Sequence, residues 1–159
     1  MIIVAIDETD KQNALAIIDK LSPNKCMLKI GSVAFNSFGH EIIFYASKNG
    51  FDIFLDLKLH DIPNTVRKTI KGLSNLPIKM LTIHISGGKD MMIAAKEAVS
   101  DSKIKIFGVT ALTSLSNDDA KEIFQRTTSE QVNAMLDLAE SVGIDGVVCS
   151  PHELELVKE

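Results

Sequence analysis

The 159-residue chain has no tryptophan and one tyrosine, and aromatic residues make up 5% of it. With few rings for base stacking, no block of Lys or Arg and a formal net charge of -4, the composition argues against a nucleic-acid surface. Cysteine is scarce as well. Cys26 and Cys149 lie far apart with no metal-type spacing near either, so neither a disulfide framework nor a zinc site is expected, and both read as reduced, half-buried thiols. No run approaches the roughly 20 apolar residues of a membrane span. The opening MIIVAIDETD lacks the basic region and cleavage site of a signal peptide, so a cytoplasmic location with no membrane partner is expected. What is present, 45% apolar and 24% charged residues, suits one globular domain over residues 1–159.

Short β-branched runs recur about every 25 residues: IIVAI at Ile2, MLKI at Met27, DIFLDLKL at Asp52, MLTIHI at Met80, KIFGVT at Lys105 and GVVCS at Gly146. Helical patterns separate them. The first has Thr9 and Gln12 in capping-box relation ahead of Leu15, Ile18 and Leu21. The next carries Ile42, Ile43 and Ala46 and ends at Asn49-Gly50, and Pro63 opens a third ahead of Val66, Ile70 and Leu73. Met91, Met92, Ala95 and Val99 mark a fourth. The long connection from Asn117 to Val142 holds a short helix around Ile123 and a longer one through Val132, Met135, Leu136 and Ala139, closed by Gly143.

Such alternation requires parallel strands with helices outside them. Two α/β architectures are compatible. A doubly wound sheet normally carries a glycine-rich phosphate turn after its first strand, whereas here that strand runs into the acidic IDETD. Even spacing and charged strand ends suit a (β/α)8 TIM-type barrel better, with function at the C-terminal ends of the strands. Such a barrel needs about 250 residues. About six of its eight βα units are therefore expected here, ending in a helix PHELELVKE, as an incomplete barrel with two open strand edges.

Strand parity then sorts the charges. In the third strand Ile53, Leu55, Leu57 and Leu59 share one face, and Phe54, Asp56 and Lys58 the other. The apolar face meets the helices, so the charges point inward. By the same reasoning Asp7 and Lys29 point inward from the first two strands, and Thr82 and His84 from the fourth. Asp7, Lys29, Asp56 and Lys58 thus converge at the C-terminal mouth, where an alternating array neutralises itself. A structural ion-pair network is the alternative, but inward charges at the same end of three strands favour a ligand site. His84 and His60 read as scaffold rather than base. Gly87-Gly88 reads as a turn, and the hydroxyls of Thr110, Thr113 and Ser114 either bond a ligand or serve an ordinary loop. No base is evident to activate Cys149 or Ser150.

The stretch DLKLHDIPNTV closely resembles the active-site strand and loop of the orotidine 5′-monophosphate (OMP) decarboxylase family. The likeness continues in order through VAID, LKIGSVAF, HISGG, GVTALTSL and DGVVCSPHE. It implies cofactor-free decarboxylation of OMP to UMP in pyrimidine biosynthesis. Catalytic roles are implied for Lys58 as proton donor, Asp56 against the substrate carboxylate, Lys29 and Asp61. Substrate contacts are implied for Asp7, Lys29, Asp56, Asp61, Ile62, Thr65 and Thr113, in a homodimer whose Asp61 reaches the neighbouring site. No metal is implied, because Lys29 stands where metal-dependent sugar-phosphate decarboxylases and aldolases of the same barrel group have a carboxylate.

The residue types fit that chemistry. Loss of CO2 from C6 of the pyrimidine leaves a carbanion with no adjacent electron sink, so the protein must stabilise it with fixed charge. Lys58, between two flanking carboxylates, both stabilises the charge and donates the proton. The family's phosphate grip uses a loop after the seventh strand and an arginine at the end of the eighth. Neither segment is in this chain, and Arg67 and Arg126 fall on helical segments. Little or no activity is therefore expected of the isolated polypeptide, and some 70 further residues should restore it. The competing readings are the metal-dependent relatives, a non-catalytic barrel fragment and a plain nucleotide-binding module.

Overall fold

All six expected strands form in the computed structural model, which describes residues 2–157. They are β1 (Ile2–Ile6), β2 (Cys26–Gly31), β3 (Ile53–Leu59), β4 (Met80–His84), β5 (Lys105–Val109) and β6 (Gly146–Val148). Each pairs in parallel with its successor, so the order is β1-β2-β3-β4-β5-β6. A doubly wound sheet places its first strand internally, whereas β1 here is an edge strand. Sequential parallel order is that of a (β/α)8-type barrel, of which six βα units are present. Among the described residues β1 pairs only with β2, and β6 only with β5.

The connecting helices are α1 (Lys11–Lys20), α2 (Ser32–Phe38), α3 (His40–Lys48), α4 (Pro63–Leu73), α5 (Lys89–Ala98), α6 (Asn117–Phe124), α7 (Thr128–Val142) and α8 (Leu154–Val157). Pro63 opens α4 as expected. Gly143 ends α7 at φ 71°, with its N–H turned back to the carbonyls of Ala139 and Glu140. Two local expectations differ. The N-cap of α1 is Asp10 rather than Thr9: its carboxylate accepts the Asn13 N–H at 2.9 Å, because the helix starts one residue later than the Thr9–Gln12 pairing implied. Helix α2 was not expected, since two turns are too short to display an apolar period beside the preceding strand. The last helix enters through a 3-10 turn, Pro151–Glu153, and residues 158 and 159 of PHELELVKE lie outside the described residues.

The two faces of the sheet bury different things. Outward-facing Ile6, Leu28, Ile30, Leu55, Leu81, Ile83 and Ile106 pack with helical Ile18, Ile43, Ile70 and Met92, and all of them are fully buried. Each such side chain contributes roughly 1.5–3 kcal/mol by leaving water. The inward face holds a smaller apolar cluster of Met27, Phe54 and Met80, with Phe107 and Val148 against it. Phe54 and Phe107 meet with ring centroids 5.8 Å apart. Two residues further along each strand, the same parity delivers Lys29, Asp56 and Thr82. The inner cluster is therefore an apolar floor, with a polar layer above it at the C-terminal ends.

Candidate active site

The polar layer centres on Asp56, whose side chain is 8% exposed. Lys58 Nζ donates to both its carboxylate oxygens at 2.8 Å, and Thr82 Oγ1 donates to Oδ1 at 2.9 Å. Lys29 Nζ lies 3.4 Å from Oδ2 and 3.8 Å from Asp7 Oδ1. The sequence Asp7, Lys29, Asp56, Lys58 is thus an alternating chain of charge, as parity implied. Its outer members are wetter: side-chain exposure is 56% for Asp7, 26% for Lys29 and 36% for Lys58. Burial on its own pushes the Asp56 carboxyl up. Hydrogen bonds from Lys58 and Thr82, with the charges of Lys58 and Lys29, outweigh burial and hold it below the usual carboxylate range.

Local backbone geometry makes this packing possible. Leu55 pairs with Leu81 and Leu59 with Ile83, so the stretch Asp56, Leu57 and Lys58 lies opposite Thr82 alone. The ladder is interrupted there. Lys58 adopts φ 50°, a left-handed conformation that costs a non-glycine residue about 1–2 kcal/mol. Its N–H bonds the Thr82 hydroxyl at 2.8 Å in place of a β4 carbonyl. Gly31, opposite Asp56 in the β2–β3 register, supplies room. A Cβ there would come within 3.3 Å of Asp7 Oδ1 and 3.4 Å of Lys29 Nζ, so any side chain would crowd both head groups.

His84 sits one inward step above Thr82, its ring 5.1 Å from that of His60 and tilted 36° to it. Burial is the main reason its pKa is lowered; the charges of His60 and Lys58 add to this, and Asp56 opposes it. A folded-state pKa below that of the unfolded chain means that the unfolded state takes up the proton first as pH falls. Stability contributed by neutral His84 is then complete above about pH 6.5, the ordinary histidine value, and declines below it until the folded pKa is reached. His84→Phe is expected to flatten that decline when Tm is followed from pH 7 to pH 5. An equally steep loss in the variant would show that His84 is not its source.

The remaining sequence candidates are placed differently. Asp61 follows β3 in an exposed turn, where its carboxylate accepts the Ile62 N–H at 2.7 Å. Among the described residues it makes no bond to Lys58, so one carboxylate, Asp56, rather than two, holds that lysine. Ile62 is 66% exposed and Thr65 is exposed on the first turn of α4. An open depression of about 360 Å³ beside them is lined by His60, Asp61, Ile62, Pro63, Ser86 and Gly87. Thr113 is exposed in the loop after β5. The Thr110 hydroxyl, expected either to bond a ligand or to serve the loop, is buried and donates to the Val148 carbonyl at 3.1 Å, tying β5 to β6.

A Cβ at Gly87 would overlap the Met91 thioether, so the end of that side chain would have to move to admit one. Arg67 is engaged with Glu97 at 2.6 Å between α4 and α5. Burial, with the nearby Glu153 charge, raises the Cys149 pKa, which disfavours the thiolate a nucleophile needs. Sequence reasoning put Thr82 inward without assigning it to the site, and it passed over Gly31. The parity signal for Thr82 was present, but its bonds to Asp56 and Lys58 depend on the β3 irregularity, which no pattern of residues announces.

Residues 1–159 match the family described as orotidine 5′-phosphate decarboxylase / HUMPS. An orotidine 5′-phosphate decarboxylase from Baumannia cicadellinicola is 45% identical over 161 residues, covering 99% of this chain and 65% of that protein. Another, from Saccharophagus degradans, is 42% identical, covering 99% of this chain and 67% of that one. The crystal structure of orotidine 5′-phosphate decarboxylase from Lactobacillus acidophilus aligns with a TM-score of 0.89 at 36% identity, over 98% of this chain and 74% of that chain. The chain therefore spans about two thirds of the length of these curated relatives.

Proposed function

Because this chain belongs to the orotidine 5′-phosphate decarboxylase / HUMPS family, we propose that the protein carrying it decarboxylates orotidine 5′-monophosphate to uridine 5′-monophosphate without a cofactor. The observation that carries this reading is the buried Asp56 carboxylate, gripped by Lys58 and Thr82 and approached by Lys29 above an apolar floor. The C6–carboxylate bond breaks, CO2 leaves, and the electron pair stays on C6. The Lys58 ammonium, already oriented, stabilises that pair and gives C6 a proton, which Lys58 regains from solvent. Because charge and dipole are fixed before the reaction, little reorganisation is needed as the negative charge appears.

Asp56 then has two tasks. It holds Lys58, and it stands against the substrate carboxylate, where like charge disfavours the bound ground state. Lys29 bonds a ribose hydroxyl and keeps Asp56 ionised, and Asp7 accepts from the ribose. Asp61, Ile62 and Thr65, on the exposed rim, serve the site of a second subunit in a homodimer, and Thr113 meets the pyrimidine. The exposure of Ile62, and the absence among the described residues of a bond from Asp61 to its own Lys58, support that assignment. Among the described residues no helix is long and apolar enough to cross a membrane.

Ultraviolet-monitored loss of OMP by this chain completed with a C-terminal segment of about 70 residues tests the proposal, with EDTA in a parallel cuvette. Turnover is expected, at the same rate with EDTA, because a lysine ammonium 3.4 Å from Asp56 repels a divalent cation from that carboxylate. Turnover of a sugar phosphate that EDTA abolishes, with none of OMP, would assign the protein to metal-dependent chemistry instead.

A further inference from the structure

Thr82 joins the two residues on which the chemistry rests, and hydrogen-bond valence leaves one arrangement for its hydroxyl. The Lys58 N–H only donates and the Asp56 carboxylate only accepts, so Thr82 Oγ1 receives the first at 2.8 Å and gives its single proton to the second at 2.9 Å. Thr82 is completely buried. It is also the one β4 residue between Leu81 and Ile83, facing the three β3 residues that the interrupted ladder leaves unpaired. A side chain here does the work that a strand carbonyl does elsewhere.

We propose that Thr82 is a positioning residue of this site, its hydroxyl holding the Lys58 backbone in the left-handed conformation and the Asp56 carboxylate in the orientation that meets Lys58 Nζ. A strand that continued regularly through Lys58 would present its side chain at a different angle to the mouth. An isolated Asp56 carboxylate would be free to rotate about its χ2. One hydroxyl removes both freedoms. Its kinetic consequence rests on the decarboxylase reading, whereas its structural consequence does not.

Thr82→Val keeps the shape and removes the hydroxyl, and Thr82→Ser keeps the hydroxyl. For Thr82→Val, kcat is expected to fall on the order of 10–100-fold with KM changed less than about threefold, the signature of lost alignment rather than lost binding. Thr82→Ser is expected to recover kcat to within about threefold of wild type. Independently of activity, the Asp56 carboxyl followed by ¹³C NMR should titrate at higher pH in Thr82→Val, because a hydrogen bond to its ionised form is gone.

In the unaltered protein the Lys58 amide should be protected from hydrogen exchange, a measurement that decides the matter even if Thr82→Val does not fold. A freely exchanging Lys58 amide would overturn the proposal, as would an unmoved Asp56 titration or a serine variant as impaired as the valine one. Should the completed wild-type protein fail to turn over OMP, the proposed activity falls, and the titration and exchange results still judge the clamp.

Discussion

Lys58→Ala is expected to lower kcat for OMP decarboxylation by on the order of 10⁵-fold, combining loss of a positioned proton donor with loss of preorganised charge at the developing carbanion. KM should change far less if, as proposed, the ribose is held by Asp7 and Lys29 and the phosphate by neither Lys58 nor its neighbours. Stability should fall modestly, because the Asp56 carboxylate, 8% exposed, loses the ammonium that bonds both its oxygens, while alanine keeps the Cβ that makes a left-handed residue costly. Substrate loss in single turnover, with circular dichroism as a check on folding, measures both. A rate within tenfold of wild type would remove Lys58 from the chemistry.

The same variant tests the shared site. If Asp61 serves a neighbouring subunit, mixing Lys58→Ala chains with Asp61→Ala chains forms hybrid dimers in which one of two sites has both residues. Random pairing then restores roughly a quarter of the sites. No gain on mixing, with exchange of subunits verified, would confine Asp61 to its own chain.

Asp56→Asn should be the second most damaging change, and it acts through Lys58 and Lys29. The amide has nearly the shape of the carboxylate but carries no charge, so both ammonium groups lose their common counterion. One Asn oxygen cannot replace two carboxylate oxygens that accept from Lys58 and Thr82 at once. A loss in kcat on the order of 10³-fold is expected from misaligned donors. Removing one partner of a fully buried pair costs about 3–5 kcal/mol, and the partial exposure of Lys29 and Lys58 reduces this to about 1–3 kcal/mol at neutral pH.

The pH dependence has a definite sign. The folded-state pKa of Asp56 is lowered, so its contribution to stability is fully present above the unfolded carboxylate value of about 3.9 and disappears as pH falls through the lower folded value. Denaturant unfolding of wild type and Asp56→Asn should therefore differ at pH 7 and converge in strong acid. Equal stability at pH 7 together with unaltered kcat would show that the array does nothing for either.

How much of this could be read without coordinates differs from one part of the molecule to another. Six strands, the helices through Ile43, Ile70, Met92 and Met135, and the inward direction of Asp7, Lys29, Asp56 and Lys58 all follow from periods of two and of 3.6 in apolar residues, because burial of one face is what those periods record. Helix α2 escaped because seven residues contain too few repeats. The cap of α1 was misjudged by one position, since Thr9 and Asp10 are both capping residues and only the first turn's geometry selects between them. The Thr110 hydroxyl was assigned two possible partners because residue type does not say which carbonyl of a neighbouring strand will be within reach.

The sequence alone determined the class of fold and the set of charges at the strand ends, since hydrophobic patterning is a local property that survives in any one chain segment. Tertiary structure decided how those charges meet. The grip of Lys58 on both oxygens of Asp56, the space left by Gly31 and the double engagement of Thr82 arise from an irregular register between β3 and β4 and from atoms on different strands approaching within hydrogen-bond distance. Such contacts are specified by packing of the whole sheet, and a hydrogen bond that depends on a few tenths of an ångström has no counterpart in the order of the residues.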